Sequence, residues 1–198
     1  MAQCMIKAVR TAFLMLLLFS ALTGLVYPLI VMAVAQVLFP WQANGSIVKK
    51  NEKELGSMLI GQFFTDPKYF WGRPSATTPF PYNAEYSSGS NLGPFNPDLL
   101  KAIKGRKQDL QKVDPGNHLS IPVDLITASG SGLDPEISPL AAFYQVHRVA
   151  RARNIPAQKV SALVKRLSKE RQMGVLGEPR VNVLMLNLEL DYLSSKQK

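Results

Sequence analysis

The chain has 198 residues, a formal net charge of +9 and a single cysteine, Cys4. Because no thiol follows Cys4, the rest of the sequence cannot form a disulfide, a cysteine metal site or a catalytic thiol. The two histidines, His118 and His147, do not form a metal-binding spacing such as HExxH. We therefore predict no metal site in this protein.

The N-terminal part of the sequence predicts a membrane anchor. No charged residue lies between Arg10 and Lys49, and most residues in between are apolar. A helix needs about 20 apolar residues to cross the hydrocarbon core of a bilayer. The alternative is a cleaved signal peptide, whose apolar region of about 7–15 residues is shorter than the run from Ala12 to Met32. We predict an N-terminal segment at 1–10, a transmembrane helix at 11–39, a polar linker at 40–56 and one domain at 57–198.

The charges around the anchor predict its orientation. Lys7 and Arg10 directly precede the apolar run, whereas the first cation after it is Lys49. Since cations close to a span favour the cytoplasmic side, we expect a cytoplasmic N-terminus and an extracytoplasmic domain. Small residues let a second helix approach closely, and proline bends a helix. The residues expected to shape this packing are Ser20, Gly24 and Pro28.

The residues after the anchor predict a single α+β domain. Asparagine or serine followed by proline is typical of a helix start. The segment 181–193 alternates like a strand, but its length and leucine content favour a helix. In chain order we predict an aromatic turn at 66–72, an ordered loop at 73–97, a helix from Pro97 to about Asp114, a strand at 121–127, a helix from Pro139 to about Arg153 and a helix from Pro156 capped by Gly174.

Two loop segments are the candidates for chemistry. In the glycine-rich turn at 127–134, Ser129 or Ser131 could act as a nucleophile beside Asp134, but the spacing differs from GxSxG and no base is evident. A structural turn is the favoured interpretation. In the second segment, Arg73 could hold a phosphate or a carboxylate, or it could fix the long loop from within. We favour the loop-fixing role.

A basic run extends from Arg148 to Arg171 and contains one acid, Glu170. Such a run could attract phosphate, anionic lipid or nucleic acid, although a solvated helix face is the favoured interpretation. No aromatic platform or base-reading motif accompanies the cations. We therefore predict no nucleic-acid partner, whereas the anchor predicts the lipid bilayer as a partner.

The order of several short motifs resembles the C subunit of the Kdp potassium-transporting P-type ATPase. Each motif is weak alone, but their order and spacing together are specific. They extend from the anchor almost to the C-terminus. The matching segments are TGLVYP at 23–28, LIGQ at 59–62, YFWGRPSA at 69–76, SGSNLGP at 88–94, IPVD at 121–124, TASGSGLDP at 127–135, QVHRVARARN at 145–154 and RVNVLMLNLELD at 180–191.

The resemblance implies an accessory, non-catalytic subunit that is needed for the assembly and activity of a potassium uptake complex. Its implied partners are a channel-like potassium-translocating subunit, a phosphorylated ATPase subunit and a small single-span subunit. Its implied location is a prokaryotic plasma membrane, the inner membrane in a Gram-negative cell. The residues expected to order its loops or meet a partner are Arg73, Asn91, Ser129 and Asp134.

The resemblance also implies ATP binding, with Gln145 as a participant. An external domain would not meet cytoplasmic ATP, so we expect no cofactor in this chain and ATP only through the complex. Two alternatives stay open: a nucleotide-binding regulatory subunit, and a membrane-anchored external hydrolase that uses Ser129 or Ser131.

Overall fold

A computed structural model describes residues 2–195. The chain divides into two compact units, Met1–Leu55 and Gly56–Lys198. Each unit is described by itself.

The first unit contains one long helix that is apolar enough to cross a membrane, Ala2–Leu38. It consists of α1 (Ala2–Ala21), a π-helical stretch (Leu22–Val26) and α2 (Tyr27–Leu38). None of their side chains is buried. The single apolar span that the fold class requires is therefore confirmed, although the helix begins earlier than predicted and includes the cations before the apolar run.

The hydrogen-bond ladder of this helix changes spacing just before Pro28. Proline has no amide hydrogen, so it cannot donate to the carbonyl one turn earlier. The Tyr27 N–H donates to the Leu22 carbonyl, five residues back, at the end of the π-helical stretch. A π-bulge is one of the features that accommodate an irregular ladder within an otherwise continuous helix.

The segment that we expected to be a polar linker is folded. It contains α3 (Pro40–Ala43) and a two-stranded sheet of β1 (Ile47–Lys50) and β2 (Lys53–Ser57). Asn51 and Glu52 connect the strands with φ values of 49° and 62°. Positive φ at both central residues is what a two-residue hairpin turn of type I′ requires. The sequence signal was weak because no glycine marks this turn.

Helix starts in the second unit agree with the predictions. In α4 (Pro97–Val113) the Asn96 side chain accepts a hydrogen bond from the Asp98 N–H. In α5 (Pro139–Arg153) the Ser138 side chain accepts one from the Ala141 N–H. Each cap satisfies an amide that has no partner within its helix. Local chemistry therefore determines where these two helices begin.

Two local predictions are wrong. Residues 121–127 form no strand; they contain a 3-10 turn at Val123–Leu125, and the Asp124 carboxylate accepts the Ser138 N–H at 2.8 Å. Helix α6 (Ala157–Leu167) ends at an extended residue, Ser168, and not at Gly174. Gly174 instead has φ 76° in an exposed turn, so its positive φ serves a loop and not a helix cap.

The segment 181–193 is a helix, as predicted, after a very short strand. Strand β4 (Val181–Asn182) pairs antiparallel with β3 (Glu136–Ile137), and α7 (Val183–Ser195) follows directly. The register places Glu136 opposite Asn182. Helix α6 packs against both α5 and α7. Together these elements confirm a mixed α+β domain.

The hydrophobic core is shared between the three C-terminal helices and an irregular segment. Its largest fully buried side chain is Phe70, which lies in none of the helices or strands. The other core side chains without exposed surface are Ala141, Ala142, Val149, Val160, Val164, Val181, Leu186 and Leu190. An irregular segment therefore contributes the largest side chain of the core.

Candidate functional site

Two side-chain amides hold the irregular segment at residues 70 and 71. From α5, the Gln145 Oε1 atom accepts the Trp71 N–H at 2.8 Å and Nε2 donates to the Trp71 carbonyl at 3.1 Å. From α7, the Asn187 Oδ1 atom accepts the Phe70 N–H at 2.8 Å and Nδ2 donates to the Phe70 carbonyl at 3.0 Å. Both amides are at least 98% buried. Each one satisfies the backbone groups that a neighbouring strand would otherwise satisfy.

Arg148 attaches the same segment from α5. It donates to the Pro67 and Tyr69 carbonyls and, at 2.6 Å, to Gln145 Oε1. Its guanidinium lies 4.5 Å from the centre of the Trp71 ring. Burial lowers the pKa of Arg148 to about 10, so the group stays charged at neutral pH. Carbonyl oxygens and an aromatic face stabilise this cation.

Arg153 completes the attachment. It donates to the Lys68 carbonyl at 2.7 Å and pairs with Asp191 of α7 at 2.8 Å. Its side chain is only 8% exposed. Arg148 and Arg153 therefore do not belong to a solvated face, unlike Lys159 and Lys165, which are exposed.

The Gln145 side chain is engaged at both of its polar atoms. In addition to the contacts with Trp71 and Arg148, Nε2 donates to the Ala141 carbonyl at 3.2 Å. A nucleotide could reach this amide only by displacing the backbone of Trp71 or the guanidinium of Arg148. Nucleotide binding through Gln145 stays a prediction, and the observed role of the residue is positional.

The structure brings together the two loop segments that the sequence singled out. Arg73 and Asp134 form an ion pair at 3.2 Å, with each side chain 28% exposed. The Ser129 N–H donates to the Pro74 carbonyl at 3.1 Å. We call residues 73–91 and 127–134 the paired loops. Arg73 thus fixes the long loop from within, with Asp134 as its partner.

Glycines allow the paired loops to approach each other backbone to backbone. A Cβ atom on Gly89 would lie 2.8 Å from the Gly130 carbonyl oxygen. Gly132 has φ 69°, and a Cβ there would lie 2.6 Å from the Ser88 carbonyl oxygen. The Ser88 N–H donates to the Ser131 carbonyl at 2.9 Å. Any side chain at Gly89 or Gly132 would force the loops apart.

The serines of the paired loops have no evident base. Ser129 is buried, and the Ser131 hydroxyl accepts the Leu133 N–H at 3.1 Å. Both histidines of the chain, His118 and His147, are exposed. Within the described residues, no hydrogen bond joins the hydroxyl of Ser129 or Ser131 to an imidazole. The geometry supports the interpretation of this segment as a structural turn.

A pocket of about 370 Å³ lies beside the paired loops. Its lining includes Trp71, Arg73, Tyr82 and Arg106. The Tyr82 hydroxyl donates to the Arg73 carbonyl. Burial, with a smaller contribution from the Asp134 charge, raises the pKa of Tyr82 to about 12. The phenol therefore remains a neutral donor at physiological pH.

The other residues singled out in the sequence lie elsewhere. Asn91 is exposed, with φ 52°. In the anchor, Ser20 and Gly24 are exposed, and a Cβ on Gly24 would have no atom within 4 Å. Pro28 directly follows the π-helical stretch. Among the residues that the structure describes, no group of three or more His, Cys, Asp or Glu side chains could hold a metal ion.

Sequence reasoning missed the residues that anchor the segment at 66–72. Arg148, Arg153, Asn187 and Asp191 were not singled out as positional residues. A signal existed, because Asn187 and Asp191 interrupt an apolar helix at a spacing of four and so lie on one face. Their partner segment could not be identified from the sequence, since it lies far away along the chain.

The helical anchor and the attached α+β domain define a membrane protein with one candidate span. A family model described as KdpC, the c chain of K⁺-transporting ATPases, matches residues 9–192. The chain therefore belongs to the KdpC family. The resemblance found in the sequence is confirmed. The c chain is a subunit of a potassium-transporting ATPase and not an enzyme by itself.

Similar proteins match over nearly the whole chain. The potassium-transporting ATPase KdpC subunit of Methylococcus capsulatus is 61% identical over 96% of this chain and 100% of its own length. The subunit of the same name from Herpetosiphon aurantiacus is 56% identical over 94% of this chain and 96% of its own length. The subunit of the same name from Polaromonas naphthalenivorans is 57% identical over 93% of this chain and 94% of its own length.

Proposed function

We propose that this chain is an accessory subunit that joins the other subunits of an ATP-driven potassium uptake complex. Its anchor packs against a membrane helix of a partner, and its paired loops dock on the external face of the channel-like subunit. The further partners are a phosphorylated ATPase subunit, which supplies ATP hydrolysis, and a small single-span subunit. Family membership supports this role, because the c chain is by name one subunit of a larger ATPase.

The observation that carries the docking proposal is a set of exposed aromatic side chains on or beside ordered loops. Phe80, Tyr86 and Phe95 are 56%, 64% and 96% exposed. The first of the paired loops is ordered by its own contacts, since the Ser75 and Thr77 hydroxyls accept backbone N–H groups of later loop residues. Aromatic side chains on a preordered surface are typical of the energetic centres of protein interfaces.

A triple substitution tests this docking surface. Phe80, Tyr86 and Phe95 are replaced by serine, and the tagged chain is purified together with the other subunits. We expect the variant to fold as the original does, because the three side chains are largely exposed, but to recover less of the channel-like subunit. The control replaces three exposed apolar residues elsewhere, Leu119, Met173 and Val175, by serine. Equal recovery with the triple variant and the original chain would overturn the docking proposal.

The proposed packing of the anchor has its own test. Gly24→Leu adds a large side chain where this chain alone offers open space. The isolated chain should tolerate it, whereas a partner helix that approaches closely at this position would be displaced. We expect reduced co-purification of the complex in Gly24→Leu and little change in the neighbouring variant Leu25→Ile. The same recovery for both variants would exclude close packing at Gly24.

The proposed location is a prokaryotic plasma membrane, with the N-terminus in the cytoplasm and the domain outside. Cys4 is the single natural cysteine, so it reports the side of the N-terminus. A Ser120→Cys variant in a Cys4→Ser background reports the side of the domain, because Ser120 is exposed. We expect a membrane-impermeant maleimide added to intact cells to label position 120 and not Cys4. The reverse pattern would overturn the orientation.

A further inference from the structure

The pocket beside the paired loops has the properties of a ligand site. Its volume of about 370 Å³ falls within the range of about 300–1,000 Å³ that is usual for small-molecule pockets. Apolar side chains form much of its lining, including Trp71, Leu110 and Leu125. The docking surface proposed above does not require this pocket, so its role is a separate question.

The charges on the lining leave one cation without a partner. Arg73 is paired with Asp134, and Asp109, the carboxylate on the lining, is 3.3 Å from Lys112. Arg106 has no ion pair among residues 2–195. One of its N–H groups donates to the Ile126 carbonyl at 2.9 Å. Partial burial lowers the pKa of Arg106 by desolvation.

Further donors are available at the pocket. A guanidinium carries five N–H groups in a planar fork, and Arg106 uses one of them in its bond to the Ile126 carbonyl. A carboxylate matches the guanidinium fork with two parallel hydrogen bonds. Apolar walls and unused donors together describe a site for an amphipathic anion.

The balance of charge selects a monoanion. Arg106 supplies one uncompensated positive charge, whereas Arg73 is already neutralised. A phosphate with two or more charges would face Asp109 without a second free cation on the lining. We propose that this pocket binds a carboxylate carried by an apolar group, with Arg106 as the donor to the carboxylate and Trp71 and Leu110 against the apolar group. A small organic acid and an acidic residue beside an apolar residue of a partner subunit share this chemistry.

The first test uses the full chain in lipid nanodiscs and 4-fluorophenylacetate as the probe, observed by ¹⁹F NMR. The neutral comparator is 4-fluorophenylacetamide, which has the same ring but no charge, and empty nanodiscs are the blank. We expect saturable binding of the acid, tighter than that of the amide by about ten-fold, the effect of a charge-assisted hydrogen bond. Absence of saturable binding, or equal affinity for acid and amide, would overturn the proposal without any variant.

Matched variants assign the site to Arg106. Arg106→Gln should weaken binding of the acid by about ten-fold and leave the amide unaffected, since one charged contact is lost. Lys104→Gln removes the same charge from an exposed position on the same helix and should have no effect. Equal weakening by both variants would show attraction by net charge and refute the assigned site. Arg106→Lys keeps the charge and should retain part of the affinity.

The assembled complex separates the two sources of the carboxylate, and this comparison depends on the proposed function. Equal binding of the probe to the complex and to the isolated chain supports a free organic acid. Binding to the isolated chain alone supports a carboxylate that a partner inserts into the pocket. Both results support the proposed site, whereas binding to the complex without binding to the isolated chain contradicts it.

Discussion

Replacing Gln145 by leucine keeps the approximate size of a buried side chain and removes its hydrogen bonds. Three groups lose their partner: the Trp71 N–H, the Trp71 carbonyl and one N–H of Arg148. An unsatisfied buried group costs about 1–3 kcal/mol. Because the segment can relax towards water, we take the lower part of this range and expect a total loss of about 3–5 kcal/mol. That is a large share of the roughly 5–15 kcal/mol that stabilises a domain.

The assay is thermal and urea unfolding of the full chain, followed by circular dichroism and by fluorescence of Trp71. The chain has two tryptophans, so Trp41→Phe is introduced to make Trp71 the sole emitter. Gln145→Leu should lower the melting temperature by roughly 10 °C and shift the Trp71 emission to the red. The control is Gln158→Leu on α6, where the glutamine is exposed. A change in Gln145→Leu no larger than in this control would refute the positional role of Gln145.

Three further predictions address other contacts. Gly132→Ala should lower the urea midpoint by the equivalent of about 1–3 kcal/mol, because φ at Gly132 is positive and the Ser88 carbonyl is close. The control Gly116→Ala, at a position in open space, should leave the midpoint nearly unchanged. Asp191→Asn should weaken the ion pair with Arg153 and lower the free energy of unfolding by about 1–3 kcal/mol. An unchanged free energy of unfolding would show that this ion pair does not stabilise the domain. Because the folded pKa of Tyr82, about 12, is raised above its ordinary value of 10.0, its stabilising effect is fully present below pH 10 and falls as the pH rises towards 12. The free energy of unfolding should decrease by about 2–3 kcal/mol over this pH range, and Tyr82→Phe should not show this decrease. Identical alkaline unfolding curves for the original chain and Tyr82→Phe would contradict the raised pKa.

The elements that the sequence predicts well are those set by local chemistry. Asn96 caps α4 and Ser138 caps α5, and in each case the next residue is the proline that begins the helix. The strand predicted at 121–127 does not form. Its β-branched residues favour a strand, but the Asp124 carboxylate accepts the Ser138 N–H at the start of α5. That contact depends on tertiary structure and overrides the local preference.

The candidate site could be predicted only in pieces. Arg73 and Asp134 were each singled out, but their pairing spans 61 positions and no local pattern encodes it. Gln145 was noticed for a nucleotide role that the resemblance implies, while its contacts with Trp71 arise from packing of α5 against a distant segment. Arg106 was not noticed, because its significance is that it lines a pocket without an ion pair among residues 2–195, which only the three-dimensional structure reveals.

The attachment of residues 66–71 to α5 and α7 also constrains the order in which the domain can fold. The pairing of Phe70 with Asn187 spans 117 positions, and that of Trp71 with Gln145 spans 74. Contacts of such long range carry a loop-closure cost that is recovered only when both partners are present. During synthesis, Phe70 is made long before Asn187, so its backbone has no partner until α7 exists. The first part of the domain to be made is therefore among the last to acquire its final structure, and it completes the core only when the chain is nearly finished.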